Sequence, residues 1–264
     1  GTLAFHQGHH DEARTLLERA AANGVRSKLF DGLTLLLLAL LRHDQRETKP
    51  TAAMAAHLKS FASARPDAMR LQRLREAGMA LQLSVVGDVA GAQAVAQRLL
   101  DLADTDSCDM ETVLVCLWLA PRLKLLPDHA LAETAYRWAL RFSTSRATTE
   151  ALVSAVRGHD DAMAHVRRAH GEIQALAERA MQYSLRGAPA QAAASLADDG
   201  ERTRNAKLIE LGQQVLRRHL AEDPHARVLG DRLSAAQQRW CHTAAHIAGM
   251  LRSQRTPGGL ALRG

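Results

Sequence analysis

Aromatic residues are scarce in this chain: Phe, Trp and Tyr together make up 3% of its 264 residues. β-Branched residues are sparse as well. Sheets are built largely from these two classes, so strands have little to form from. Cysteine is nearly absent. The three present, Cys108, Cys116 and Cys241, form an odd set without CxxC spacing. That excludes a disulfide scaffold and reads as a reduced, cytoplasmic protein. Long hydrophobic runs are missing too. The longest, from Leu33 to Leu41, covers nine residues, whereas a membrane span needs about 20. It reads as a buried helix, and no membrane span is expected. Also lacking are a GxxxxGK[ST] phosphate loop, a GxGxxG behind a strand and a GxSxG elbow. No residue set amounts to a catalytic signature, so the chain is expected to be non-catalytic and to carry no cofactor.

Ala, Leu and Arg dominate what is present, with Gln frequent, and all four are strong helix formers. With few large aromatics, the core must use Leu to fill space and Ala to let helices approach. The expected fold class is all-α. The length suffices for a sizeable core, as one solenoid or two domains. Charge is unevenly placed. Residues 1–200 hold 23 Lys+Arg against 23 Asp+Glu, and residues 201–264 hold 11 against 5. The whole net charge of +6 therefore lies at the C-terminal end. A basic end can meet an acidic protein, nucleic acid or anionic lipid, and its plainer reading is a solvated face.

One short pattern recurs four times: a glycine turn, then an alanine, then small or apolar residues one helical turn apart. It runs Gly8, Ala13, Leu17, Ala20; Gly87, Ala92, Ala96, Leu99; Gly158, Ala162, Val166, Ala169; and Gly187, Ala192, Leu196. Each glycine is expected to end one helix, and each alanine to pack the next helix closely against it. The first 22 residues resemble a tetratricopeptide repeat, a pair of antiparallel helices over 34 residues with small residues at the crossing. Gly1, Gly8, Ala13, Leu17 and Ala20 fall where that repeat has Gly, Gly, Ala, an aromatic and Ala. Leu17 replaces the aromatic, and the first half of the first helix is missing. The later copies fit more loosely, and no 34-residue period links the four glycines. The resemblance implies stacked antiparallel hairpins, as an α-solenoid or irregular bundle, that bind a protein. Bacterial proteins often place such degenerate repeats behind a receiver, kinase or DNA-binding domain. Gly1 stands in place of Met inside a plausible helix, so the chain reads as truncated at its N-terminus.

The periodicity predicts helices at 11–22, 27–42, 51–64, 67–86, 88–103, 109–120, 128–143, 147–157, 160–185, 190–198, 201–222 and 225–253. In the 67–86 helix, Met69, Leu71, Leu74, Met79, Leu81 and Leu83 are core candidates; in the 11–22 helix, Ala13, Leu16, Leu17 and Ala20 share one apolar face. Asp199-Gly200, where the charge balance changes, suggests a repeat-like region over 1–199 and a basic helical hairpin over 200–253. Residues 254–264 lack an apolar face and read as a disordered tail.

Candidate sites are weighed against simpler roles. His242 and His246 share a helix face at zinc-ligand spacing, but the HExxH glutamate is missing, so a polar face is the simpler reading and no metal is expected. His9-His10-Asp11-Glu12 most simply places Asp11 and Glu12 at the positive end of a helix dipole. His165 and His170 read as surface residues. Cys116, among apolar neighbours, should be a buried, inert thiol, and Cys108, at a helix start, is the candidate for a lowered pKa. Tyr136, Arg137 and Arg141 are candidates for a partner-binding surface, since aromatic and Arg residues dominate interface hot spots; a core role is the plainer alternative. Arg202, Arg204, Arg217 and Arg218 form basic clusters without a nucleic-acid recognition motif, so a protein partner, or another domain of the full-length chain, is expected rather than nucleic acid. Oligomeric state is not legible. The function expected is a protein–protein interaction scaffold. The alternatives are a regulatory or output region of a bacterial signalling protein, and a helical-bundle enzyme or metal protein.

Overall fold

The computed structural model describes residues 1–23, 28–44, 68–85, 87–103, 110–219 and 226–240. Among them are twelve helices and no strand, and the protein is all-α. In chain order they are α1 (Thr2–Gln7), α2 (His10–Asn23), α3 (Lys28–Asp44), α4 (Ala68–Val85), α5 (Val89–Ala103), α6 (Met110–Arg122), α7 (Asp128–Phe142), α8 (Arg146–Ala155), α9 (Asp160–Leu185), α10 (Pro189–Thr203), α11 (Ala206–His219) and α12 (Ala226–Trp240). No helix among the described residues is long and apolar enough to cross a membrane.

The four turn glycines do what the sequence required of them. Gly8, Gly87, Gly158 and Gly187 have φ of 81°, 91°, 90° and 75°, a left-handed conformation that glycine adopts without a Cβ clash. Three of them close the preceding helix in one way. The glycine N–H donates to the carbonyl three residues back, and the next N–H donates to the carbonyl five back, the paired bonds of a Schellman stop. After Gly87, the Asp88 carboxylate accepts from the Gly91 N–H at 2.9 Å and caps α5. Ala13, Ala92, Ala162 and Ala192 are all buried.

The chain divides into two compact units, residues 1–170 and 171–264. In the first, α6 is the central element. Every residue from Val113 to Ala120 is buried, and α6 packs against α4, α5, α7 and α8. A helix apolar all round is stable only when enclosed in this way. Leu36, Leu37, Leu40 and Leu41 of α3 join the same core, with Leu74 and Leu81 of α4 and Val95 and Leu99 of α5. Where the chain before α1 meets α2, a Cβ on Gly1 would stand 2.7 Å from the Leu17 side chain. The small residue there lets the chain ahead of α1 lie on α2.

In the second unit α10, α11 and α12 pack on one another around Ala193, Ala197, Ile209, Leu216, Leu233 and Ala236. The crossings are again made at glycines. A Cβ on Gly200 would meet Ile209 at 2.8 Å, and one on Gly212 would meet Leu233 at 3.1 Å.

Several sequence expectations are corrected. The helix expected over 190–198 continues through Asp199 and Gly200 to Thr203, and the helix expected over 201–222 starts at Ala206. Asn205 causes the break. Its buried side-chain Oδ1 accepts from the Lys207 and Leu208 N–H groups at 3.0 and 3.4 Å, capping α11, while Arg204 turns the chain with φ of 55°. Leu16 and Met79, expected in the core, are exposed. Packing falls instead on Leu17, and on Leu74, Ala77 and Leu81. The helix expected over 51–64 and the tail 254–264 lie outside the described residues, as do Cys108, Cys241, His242 and His246.

Candidate interaction surface and polar clusters

The sequence-predicted partner residues occupy different environments. On α7, Tyr136 is half-buried against the core, Arg137 is exposed and Arg141 is buried. The Arg141 guanidinium lies 4.8 Å from the Phe142 ring centroid, so as placed it faces the interior and not a partner. The Tyr136 ring receives the edge of His165 at a centroid distance of 6.0 Å and the Arg168 guanidinium at 4.3 Å. Tyr136, His165 and Arg168 thus form one cation–aromatic cluster between α7 and α9. Trp138, two residues on, is fully in the core.

Arg202, Arg204, Arg217 and Arg218 are all exposed, but their charge is partly answered within the second unit. The buried Asp199 carboxylate takes Arg179 at 2.5 Å, Arg202 at 3.0 Å and the Ser195 hydroxyl at 3.3 Å. Arg232 forks onto Glu201, both contacts 2.7 Å, and reaches Asp198 at 2.8 Å. Arg217 donates to the Gln213 carbonyl at 3.3 Å. With Arg218 and His219, it occupies the last turn of α11, where cations complement the helix dipole.

Two polar clusters join residues far apart in sequence. In one, Ser143, Thr149 and His170 meet inside the first unit. The two hydroxyls contact each other, and each lies 2.9–3.0 Å from His170 Nδ1. Thr149 also donates to the Ser145 carbonyl at 2.9 Å. One proton on each group satisfies all four contacts: Thr149 gives to Ser145, Ser143 to Thr149, and His170 Nδ1–H to the two oxygens. Ser143 is only 1% exposed. His170, read from sequence as a surface residue, is a partly buried tie between α9 and the segment that starts α8.

In the other cluster, Arg122 at the end of α6 holds Asp44 at the end of α3 with two parallel bonds of 2.7 and 2.6 Å. Its remaining Nη1 bonds the Trp118 carbonyl at 2.7 Å. His43 Nδ1 stands 3.7 Å from Asp44 Oδ1, and His43 Nε2 stands 3.4 Å from the Ser84 hydroxyl on α4. Burial opposes ionisation of Asp44, but His43 and the Arg122 fork outweigh it and hold the carboxyl pKa at about 2.

At the start of α2, His9 and Glu12 form an exposed pair 3.6 Å apart, and Asp11 and Glu12 sit in the first turn. Cys116 is buried in α6. Among the described residues no three His, Cys, Asp or Glu side chains are grouped to hold a metal ion. The large exposed apolar side chains of the described residues are Leu3 on α1, Leu16 on α2, Met79 on α4, Val89 and Leu102 on α5, Met181 and Leu185 on α9, and Val228 on α12. Four of the eight lie on α1, α4 and α9, the helices that end at Gly8, Gly87 and Gly187. Sequence periodicity missed this because an exposed apolar residue is identified only once its neighbours are placed. Compared with known proteins, the chain matches no family model, no curated protein and no solved structure.

Proposed function

We propose that this chain is a protein–protein interaction scaffold of degenerate tetratricopeptide-like hairpins. It takes its partner along the first helices of those hairpins. The observation that carries this reading is the hairpin turn itself, a left-handed glycine followed by a buried alanine, repeated at four places. Stacked hairpins of this kind leave one face of each leading helix for binding. Leu3, Met79, Met181 and Leu185 supply apolar contacts on the leading helices. Exposed arginines, Arg137 on α7 and Arg217 and Arg218 on α11, supply charge that fits anionic side chains. The partner is a protein, or another domain of the same chain in a bacterial signalling protein.

Affinity capture with the immobilised chain tests the reading. A protein retained in stoichiometric amount, and competed off by soluble chain, is the expected outcome. Recovery of nucleic acid as the main specific species would contradict it.

A further inference from the structure

The C-terminal end of α9 carries two adjacent rows of exposed side chains. Ile173 and Ala180 are buried and fix the inner side of the helix. On the outer side Glu178, Gln182 and Arg186 follow one another at four-residue spacing, and all three are exposed. Arg186 lies one residue past α9, but its N–H donates to the Gln182 carbonyl at 3.1 Å and so continues the helical row. The row reads acid, neutral amide, base. Neither Glu178 nor Arg186 has an ion-pair partner among the described residues. Arg179, next to Glu178 in the chain, is held instead by Asp199. Met181 and Leu185 form the second row, 63% and 81% exposed. Each lies three residues beyond a member of the polar row, so the two rows are neighbours on the helix surface.

We propose that a second copy of this chain docks here, α9 against α9, antiparallel about a two-fold axis near Gln182. The proposal rests on the reading of α9 as a docking helix and names its occupant. Reversing one copy sets Glu178 of each opposite Arg186 of the other, and Gln182 opposite Gln182. A two-fold rotation about an axis perpendicular to the helix pair keeps each row on its own side of the interface, so polar meets polar and apolar meets apolar. With a rise of about 1.5 Å per residue, Leu185 then stands about 3 Å along the helix axis from Met181 of the other copy. A parallel pairing would place Glu178 on Glu178 and Arg186 on Arg186, so charge selects the antiparallel one. Any occupant must present base, amide and acid in the reverse order beside an apolar row, and this chain carries that surface itself. Met181 and Leu185 supply affinity, while the exposed ion pairs add little energy and set direction and register. The interface is small, and the dimer is accordingly weak and reversible.

Sedimentation equilibrium of the whole purified chain, from about 10 μM to about 1 mM, reads this association without any captured partner. A reversible monomer–dimer equilibrium is expected within that range. Glu178→Arg alone and Arg186→Glu alone should each raise the dimer Kd about tenfold, because each turns two attractive contacts into two repulsive ones. The double exchange Glu178→Arg, Arg186→Glu should restore the parental Kd. It keeps the composition and inverts the order of the row, so a general loss of folding cannot imitate the rescue. Gln182→Cys under mild oxidation should give a linked dimer whose mapped peptides join position 182 to position 182. A parent that stays monomeric up to about 1 mM, single variants that associate as the parent does, or a double exchange as weak as the single ones would overturn the proposal. A monomeric chain that still captures a foreign protein would overturn it too, and would leave the scaffold reading standing.

Discussion

Asp44 is the side chain whose surroundings make the sharpest statement about stability. Its pKa falls from 3.8 to about 2 in the folded protein. A depressed carboxyl pKa stabilises the fold above the unfolded value, and the contribution is lost as pH falls through the folded one. Because the carboxylate is partly exposed and screened by solvent, the shift contributes about 1 kcal/mol or less. Acid titration followed by thermal melting should therefore show this loss between about pH 4 and pH 2. Asp44→Asn should melt lower at pH 7 and lack that component; equal acid sensitivity in parent and variant would assign it elsewhere. At this scale the sequence was only partly informative. Cys116 could be placed because its neighbours from Val113 to Leu119 are all apolar. Arg141 could not, because a long side chain can bury its stem and guanidinium against a ring such as Phe142. His43 and Ser84 are 41 residues apart, and no local pattern joins them.

At the scale of single helices, the stops were more legible than the starts. A glycine that must adopt positive φ leaves a mark in the sequence, and all four were found. Asn205 was not, because asparagine is also common in ordinary turns, and only the buried Lys207 and Leu208 amides show it to be a cap. Asn205→Ala should cost about 1–2 kcal/mol by chemical denaturation; a loss under a few tenths would mean that water can replace the cap. The hairpin crossings make a second prediction. Ala13 and Ala92 have no exposed surface, so replacing either with Leu overpacks the crossing and should cost about 1–3 kcal/mol. Thermal melting of each variant measures this, and melting with the parent would place these alanines away from a close contact. Met79 shows the limit of periodicity: it sits on a helix whose apolar residues are spread round much of its circumference, and packing alone selects Leu74, Ala77 and Leu81.

For the whole molecule, composition foretold the all-α class, because a chain poor in aromatic and β-branched residues and rich in Ala and Leu has one economical way to bury a core. The charge count was a poorer guide to the surface. Two of the C-terminal arginines are met by acids on α10: Arg202 by Asp199 within the helix, and Arg232 by Asp198 and Glu201, a pairing that follows only from the packing of α10 on α12. Arg217 and Arg218 remain exposed, so a charged partner should bind more weakly between low and moderate salt, as screening beyond about 8–10 Å sets in. Reversing both to Glu should remove that salt dependence, and an unchanged salt response would make them a solubilising face. The central claim is that a partner protein docks on the leading helices of the hairpins. Its most direct test is calorimetric titration of the captured partner at moderate salt, against the parent and a Leu3→Glu, Met181→Glu, Leu185→Glu variant that keeps its helical spectrum. The account predicts at least a tenfold loss of affinity, about 1.4 kcal/mol or more. Unchanged affinity in that variant would contradict it.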